Sequence, residues 1–580
     1  MPIQPKVYTW LCGLFASLGS IIFGYDLGVI AGILPAPDFA RVMGSRFNNP
    51  NLFGLITSIF VLGCFFGMIP VAYAADKFGR RKTIQLGALV YVFGGALQTG
   101  AQNMDMMLAG RFFAGFGVGI MSDLAPLYQV GGNSTSKYQR KIDDSAASEY
   151  RTSNLEDILD VITQFMLGIG AFAASWITYG CSAGLKGTQA EWRIPLGIQI
   201  FPALPLISFI LLLPESPRWL AEKGQYDEAK ATLARLHANG NLKDPFVLSQ
   251  LEDIKADIQR SHDIGAATWT ELFTVPSNFR RLALGYILQF SVQMTGVSAI
   301  QYYSTTIFTT MGFSSTRILL FQSINSIIAL IGEACCVLWI DSTGRRTPLI
   351  VGNVVSGLSF VVGSILMARW PGTVNNNASD LIHEHWHTRR TTSSLVSTTL
   401  KGRFLTIYHD YAAALQTWVF NFFFSACIGP LSWAYPAEIY STRTRAKATA
   451  LTSSASWISN FFIAEVTPIA FSHIGWKNVC FRYYLVFAIC GHTNALFVWA
   501  FYPETTGRRL EEMDSLFENS PLFVPGTQYA KAQDRHLAER ELRDGNFVPA
   551  NVSERAGGYR HDEDVKDIEE IGHHDSEEKH

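Results

Sequence analysis

Asp76-Lys77-Phe78-Gly79-Arg80-Arg81-Lys82-Thr83 lies between two long apolar runs, and a close copy, Asp341-Ser342-Thr343-Gly344-Arg345-Arg346-Thr347-Pro348, lies between two others. An internal repeat in matching positions makes the chain two similar halves. The glycine permits a tight turn between helix ends. An acid beside paired arginines supplies charge-assisted hydrogen bonds that form in one arrangement of helices and break in another. That is the chemistry of a latch. An ordinary basic loop at a membrane surface would explain one copy, but not two in register.

The composition agrees with a chain that lives in lipid. Of 580 residues, 48% are hydrophobic and only 16% charged, with 40 Phe and 13 Trp. Soluble domains are rarely so apolar. The net charge of -2 leaves no basic surplus for neutralising phosphates, so no nucleic-acid partner is expected. Only Cys181 and Cys480 fall near outside loops, which suggests no disulfide framework. The segment Met1–Trp10 lacks the pattern of a cleaved leader, and the first apolar run reads as a retained membrane helix.

Apolar runs of bilayer-crossing length fall near 9-30, 52-74, 84-102, 107-128, 163-182, 194-213, 282-304, 318-340, 347-369, 411-435, 447-470 and 482-502. Twelve spans, six per half, predict an all-α membrane protein. The division expected is an N-terminal six-helix bundle over 1-213, linker helices over 214-280, a C-terminal six-helix bundle over 281-502, and an acidic, largely disordered tail over 503-580. Lys77, Arg80, Arg81, Lys82, Arg345, Arg346, Arg443, Arg445 and Lys447 lie in alternate short loops. The positive-inside rule puts those loops, and both termini, in the cytoplasm.

A charge buried in lipid costs several kcal/mol unless it meets a partner or a water-filled cavity. Asp26, in Phe23-Gly24-Tyr25-Asp26-Leu27-Gly28, and Arg111, at the start of the fourth run, are such charges. Paired in the first half, they form either a static ion pair or a proton-coupling site in which protonation of Asp26 releases Arg111. Glu333 and Glu465 also fall within spans, with no partner evident from sequence.

Together these residues resemble the sugar porter family of the major facilitator superfamily. The features that carry the resemblance are the Gly-Tyr-Asp of the first span, the duplicated Asp-x-x-Gly-Arg-Arg loops, Gly110-Arg111 through Gly119, Pro214-Glu215-Ser216-Pro217-Arg218 and Pro503-Glu504-Thr505-Thr506-Gly507-Arg508. They cover about 9-129 and 163-517, and as an ordered set they are specific. Inside an apolar span the Gly115-x-Gly117-x-Gly119 run reads as close helix packing rather than a dinucleotide fingerprint.

The resemblance implies twelve helices in two bundles around a sugar site open alternately to either side. Such a site needs amide and hydroxyl groups for the sugar hydroxyls and aromatic faces for its CH face. By resemblance the sugar contacts are Phe23, Gln164, Gln289, Gln293, Ser298, Asn325, Trp433, Trp457 and Asn460, and Tyr302 and Tyr303 form the outer gate. Val292 and Ser298 depart from the Gln and Asn usual there. By the same resemblance the inner latch joins Asp76, Arg80 and Arg81 to Glu215 and Arg218 in one half, and Asp341, Arg345 and Arg346 to Glu438 and Arg445 in the other. If these ion pairs form only when the outer side is open, neutralising Glu438 shifts the population inward.

Two segments break the family pattern. The stretch 130-162 is about twice the expected length and replaces the short loop with an acidic residue, a Pro and an Arg-Gly that would complete the first latch. The stretch 380-410 is also long, and it places Arg389, Arg390, Lys401 and Arg403 outside. Both are expected to be poorly ordered, whether as genuine insertions or as errors of the gene model. His383-Glu384-His385-Trp386-His387 fits the His-Glu-x-x-His pattern but has no helical flanks, so no metal and no cofactor is expected. The reading is a monomeric plasma-membrane transporter of a hexose or pentose, driven by protons and not an enzyme. An uncoupled facilitator and a sugar sensor signalling through the tail remain open.

Overall fold

A computed structural model describes residues 15, 17–133, 155–264, 268–310, 315–369, 414–441, 443–473, 480–506 and 512–525, which form helices joined by turns with no strand among them. The long helices are α1 Leu18–Ile33, α2 Pro50–Met68, α3 Arg80–Thr99, α4 Met104–Asn133 and α5 Leu155–Gly184. They continue as α6 Ala190–Leu212, α7 Pro276–Phe308, α8 Ser315–Thr343, α9 Arg346–Arg369, α10 Ala414–Ile439, α11 Arg445–His473 and α12 Cys480–Phe501.

Nine described helices are long and apolar enough to cross a membrane, and a tenth crossing is α1 taken with Pro37–Met43. The chain turns by 93° between those two segments. Pro37 forces the turn, because the residue before a proline is pushed out of the helical region and Ala36 is extended at ψ 125°. The remaining long helices, α3 and α11, are less apolar. Their basic first turns (Arg80, Arg81 and Lys82; Arg445 and Lys447) sit at helix ends, and both helices pack among the others. Up to ten crossings are thus supported among the described residues, and the twelve expected from the sequence require α3 and α11 as well.

Local chemistry sets the ends and breaks. Asn49 caps α2 by accepting from Asn51 N at 3.1 Å, and Pro50 and Pro276 occupy first helical positions. In α7 the helix breaks between Met294 and Val297, where Gly296 adopts φ +91°. In α10 the Gly429 N–H reaches back to the Phe424 carbonyl, so Phe424–Ile428 widens into a π turn ahead of Pro430, which has no N–H to offer.

In the first half α4 packs against α2 and α3, and α1 against α5; in the second, α9 packs on α12, α7 on α11 and α8 on α10. Gly115 and Gly119 meet the α2 backbone at Phe60 and Cys64, and Gly117 meets Gly87 and Tyr91 of α3, so the glycine run serves close packing. Across the halves, α2 meets α11, α5 meets α8, and α1 meets Val297–Thr310. Pro217–Glu222, Tyr226–His237 and Pro245–Ile264 share a small core of Leu220, Leu233, Val247 and Leu251.

The region after 502, expected to be a largely disordered tail, begins with ordered structure. Helix Glu512–Asn519 places Phe517 under Arg280 and Arg281 at 5.5 and 5.1 Å, and Arg280 donates to the Ser520 and Pro521 carbonyls at 2.7 Å. Met513, Leu516 and Phe517 supply an apolar face that the acidic composition of the segment concealed. Helices α4 and α5 extend into the stretch read as a loop over 130-162; residues 134–154 and 370–413, with the His383–His387 pattern, lie outside the described residues.

Candidate functional site

Asp26 and Arg111 meet. Arg111 Nη1 donates to Asp26 Oδ1, and both side chains are 0% exposed. Arg111 also donates from Nε to the Ile56 carbonyl at 3.2 Å, and its guanidinium lies 4.5 Å from the Phe60 ring centre. Asp26 Oδ2 and Arg111 Nη2 are buried without a hydrogen-bond partner, while the Tyr91 hydroxyl lies beside the carboxylate. The pair thus has capacity left for a proton or a rearranged bond.

One turn before Asp26 on α1, Phe23 makes an edge contact with Trp457 of α11, with ring centres 5.5 Å apart. This contact crosses from one half to the other. Asn460, three residues along α11, lies beside Tyr302. On α7, Gln289 Nε2 donates to the Ser432 carbonyl at 2.8 Å, Gln293 Nε2 to Ser456 Oγ at 3.4 Å, and Ser298 Oγ to Gln293 Oε1. Asn421 of α10 donates to the Asn325 carbonyl at 3.0 Å. Gln289 Oε1, Asn325 Oδ1, Trp457 Nε1 and Asn460 Oδ1 are buried with no hydrogen bond. Unpaired amide and indole groups of this kind need partners, and a polyhydroxylated ligand supplies both donors and acceptors. Gln164 and Trp433 are half-buried on α5 and on Gly429–Ile439, which pack together, but neither hydrogen-bonds the others among the described residues.

At the end away from the Gly-Arg-Arg loops the halves are tied. Tyr302 and Tyr303 are both 0% exposed; Tyr303 donates to the Ala464 carbonyl at 2.7 Å, and its ring lies 6.0 Å from that of Phe53 in the first half. Thr305 Oγ1 donates to the Ala31 carbonyl at 2.9 Å, Ser323 Oγ to the Ser175 carbonyl at 3.2 Å, and Ser58 Oγ to Glu465 Oε2 at 2.6 Å. Glu465, unassigned from sequence, is therefore a cross-half tie. Its partner is 407 residues away, a pairing no local pattern reveals.

The two latches are built alike, around an acid that neither loop contains. Glu215 takes the N–H groups of Arg80 and Arg81 at 3.3 and 3.4 Å and Arg81 Nε at 3.3 Å. Glu504 takes the N–H groups of Arg345 and Arg346 at 2.9 and 3.0 Å. Each carboxylate thus sits at the positive end of a helix, α3 or α9. Gly79 at φ +87° and Gly344 at φ +79° make these approaches possible. The role of Glu504 has a sequence signal in the match of Pro503-Glu504-Thr505 to Pro214-Glu215-Ser216.

Beyond that the latches differ. Arg345 Nε pairs with Glu438 at 2.8 Å, both nearly buried, and Glu438 also accepts from Thr505 Oγ1 at 2.6 Å. Its counterpart Arg80 donates to Ser216 Oγ. Arg346 donates to the Trp499 carbonyl and Arg445 to the Tyr440 carbonyl. Two expected members stand beside Arg80 but make their direct bonds elsewhere. Arg218 turns outward to Glu222 at 3.4 Å, one turn along its own short helix, and Asp76 is exposed and contributes its carbonyl to Trp219 Nε1 at 3.1 Å. The Asp341 side chain lies outside the described residues. Latch pairs and the ties at the opposite end are present together. Arg345, Glu438 and Glu504 all belong to the second half, and their pairs are present here with the opposite end tied, so they are not confined to an outward-open arrangement.

A family model described as sugar (and other) transporter matches residues 12–379 and 391–517. A high-affinity glucose transporter of Candida albicans is 29% identical over 527 residues, covering 89% of this chain and 87% of its own length. An MFS glucose transporter of Aspergillus flavus is 28% identical over 564 residues, 95% of this chain and 97% of its own. Among solved structures, a partially occluded inward-open form of the xylose transporter XylE from E. coli superposes with a TM-score of 0.65 at 20% identity, over 87% of this chain and 100% of that one.

Proposed function

The chain belongs to the sugar transporter family, with the major facilitator fold of an integral, multi-pass membrane protein, and from that premise we propose that it carries a hexose or pentose by alternating access together with a proton. The observation that carries this reading is the geometry of α1. Phe23 touches Trp457 in the other half, and Asp26, one turn on, holds Arg111 in its own half. A sugar seated against Phe23 and Trp457 lies within about one helical turn, roughly 5 Å, of the acid that would take the proton.

In this account Gln164, Gln289, Gln293, Ser298, Asn325, Trp433 and Asn460 bind the sugar hydroxyls and ring face, and Tyr302 and Tyr303 close over them. Protonation of Asp26 weakens its hold on Arg111 and frees α1 and α4 to shift. The ties of Ser58, Thr305 and Ser323 break when the site opens on that side. The names of the fungal relatives favour a hexose. The chain works as a monomer in the plasma membrane, with both termini and the Gly-Arg-Arg loops cytoplasmic, and with boundaries near 213, 280 and 502.

An uncoupled facilitator is favoured by one observation, the complete burial of the Asp26–Arg111 pair, which suits a static ion pair. Asp26→Asn separates the two. Under symport the variant keeps sugar counterflow but loses accumulation driven by a proton gradient; a facilitator shows no such accumulation in either form.

A further inference from the structure

Glu333 is an acidic side chain in the middle of the fold that neither the sugar site nor the latches use. It lies on α8 where that helix crosses α5, roughly 15 Å from the Gly-Arg-Arg end. A Cβ at Gly168 of α5 would stand 2.8 Å from Glu333 Cδ and 3.2 Å from Oε1, so the carboxyl is seated against bare backbone of the other half. It is 8% exposed, Oε2 has no hydrogen-bond partner, and no cation pairs with it among the described residues.

Its surroundings offer no compensation. The described side chains of α5 contribute Tyr179 and Cys181 as titratable groups, roughly 16 Å or more further along the helix; the side chains of Glu156, Asp157 and Asp160 lie outside the described residues. From α10 comes Cys427, beside Cys336 of α8 itself, with Cys335 next to that. Tyr302 and Tyr303, on the broken second part of α7, belong to the gate. The described cation on α8 is Arg317, roughly 24 Å along the helix, and Arg345 beyond its end is already held by Glu438.

We propose that Glu333 is a proton-binding site, distinct from Asp26, whose protonation permits α5 to close on α8. The proposal rests on the alternating-access reading. A carboxylate without a cation in a seam where it is only 8% exposed is strongly disfavoured, so the closed seam holds the neutral acid. When the halves part and water enters, the acid ionises, and closure requires that it take up a proton again. Low pH therefore favours the closed seam, and closure is lost as pH rises, by about tenfold per pH unit above the midpoint for a single group.

Spin labels at Gly180 and Arg317, exposed positions beyond the Ser175–Ser323 contact, read the seam without sugar or gradient. In the wild type the short-distance population is expected to fall with rising pH. E333Q is expected to hold it closed across the range. A pH-independent wild type or an unchanged profile in E333Q would overturn the proposal. If E333Q fails to fold, E333D, whose carboxyl withdraws by one methylene towards water, should move the midpoint to lower pH; an unmoved midpoint overturns it too. Sugar counterflow on the same preparation tests transport separately, so failure of the carrier reading is distinguishable from failure of this one.

Discussion

Removing Arg111 should cost the protein much more than removing Asp26, and the difference can be worked from the contacts. R111Q leaves the Asp26 carboxylate fully buried with Oδ2 already unpaired. Stranding a buried charge in this way costs about 3–5 kcal/mol. D26N leaves Arg111 with the Ile56 carbonyl at 3.2 Å and the Phe60 ring at 4.5 Å, and the amide oxygen still accepts from Nη1. A desolvated cation over a ring is stabilised by about 2 kcal/mol, so the loss falls to about 1–2 kcal/mol. The double variant removes both charges and should be less destabilised than the two losses summed, by more than about 1 kcal/mol. Protonation of Asp26 removes the stranded charge in R111Q, so that variant should regain stability as pH falls. Unfolding in detergent followed by tryptophan fluorescence measures all three variants. Equal costs for the single variants, or additivity within about 0.5 kcal/mol, would refute the account of the pair.

The latches give two further expectations. E438Q removes the charge from the buried pair with Arg345 and should cost about 1.5–3 kcal/mol of stability in detergent unfolding; an unchanged stability would exclude a charged pair there. E504A strips the acceptor from two backbone N–H groups at the start of α9 and from Thr505 and Thr506. Hydrogen exchange over Arg345–Leu349 should then rise while exchange over Arg80–Ile84 stays unchanged, and a uniform rise in both halves would show that the two caps are not independent.

What the sequence revealed follows from the range of the forces involved. Asp26 and Arg111 were readable as partners because two charges within apolar helices have few other ways to be satisfied. The Gly-Arg-Arg loops were readable because a backbone turn and a charge pattern are local. Arg218 stays beside Arg80 but bonds elsewhere: on paper it stands next to Glu215, yet Pro217 starts a helix that pairs it with Glu222. Glu465 and Glu333 were left without roles because their neighbours, Ser58 and Gly168, lie in the other half of the chain. A partner that is only a hydroxyl, or no side chain at all, leaves no trace in charge or periodicity. The fold itself was legible because span length and the duplicated loop set it, whereas the docked segment Glu512–Asn519 was hidden by acidic surroundings that mask three apolar contacts.

The most direct test of coupled carriage is the pH inside proteoliposomes that hold a pH-sensitive dye, after sugar is added outside with no preset gradient. Glucose or xylose should acidify the lumen of wild-type vesicles at a rate that follows sugar entry, and D26N vesicles should stay silent while still exchanging labelled sugar. Sugar entry into wild-type vesicles without any change in pH would contradict the claim that a proton travels with the sugar.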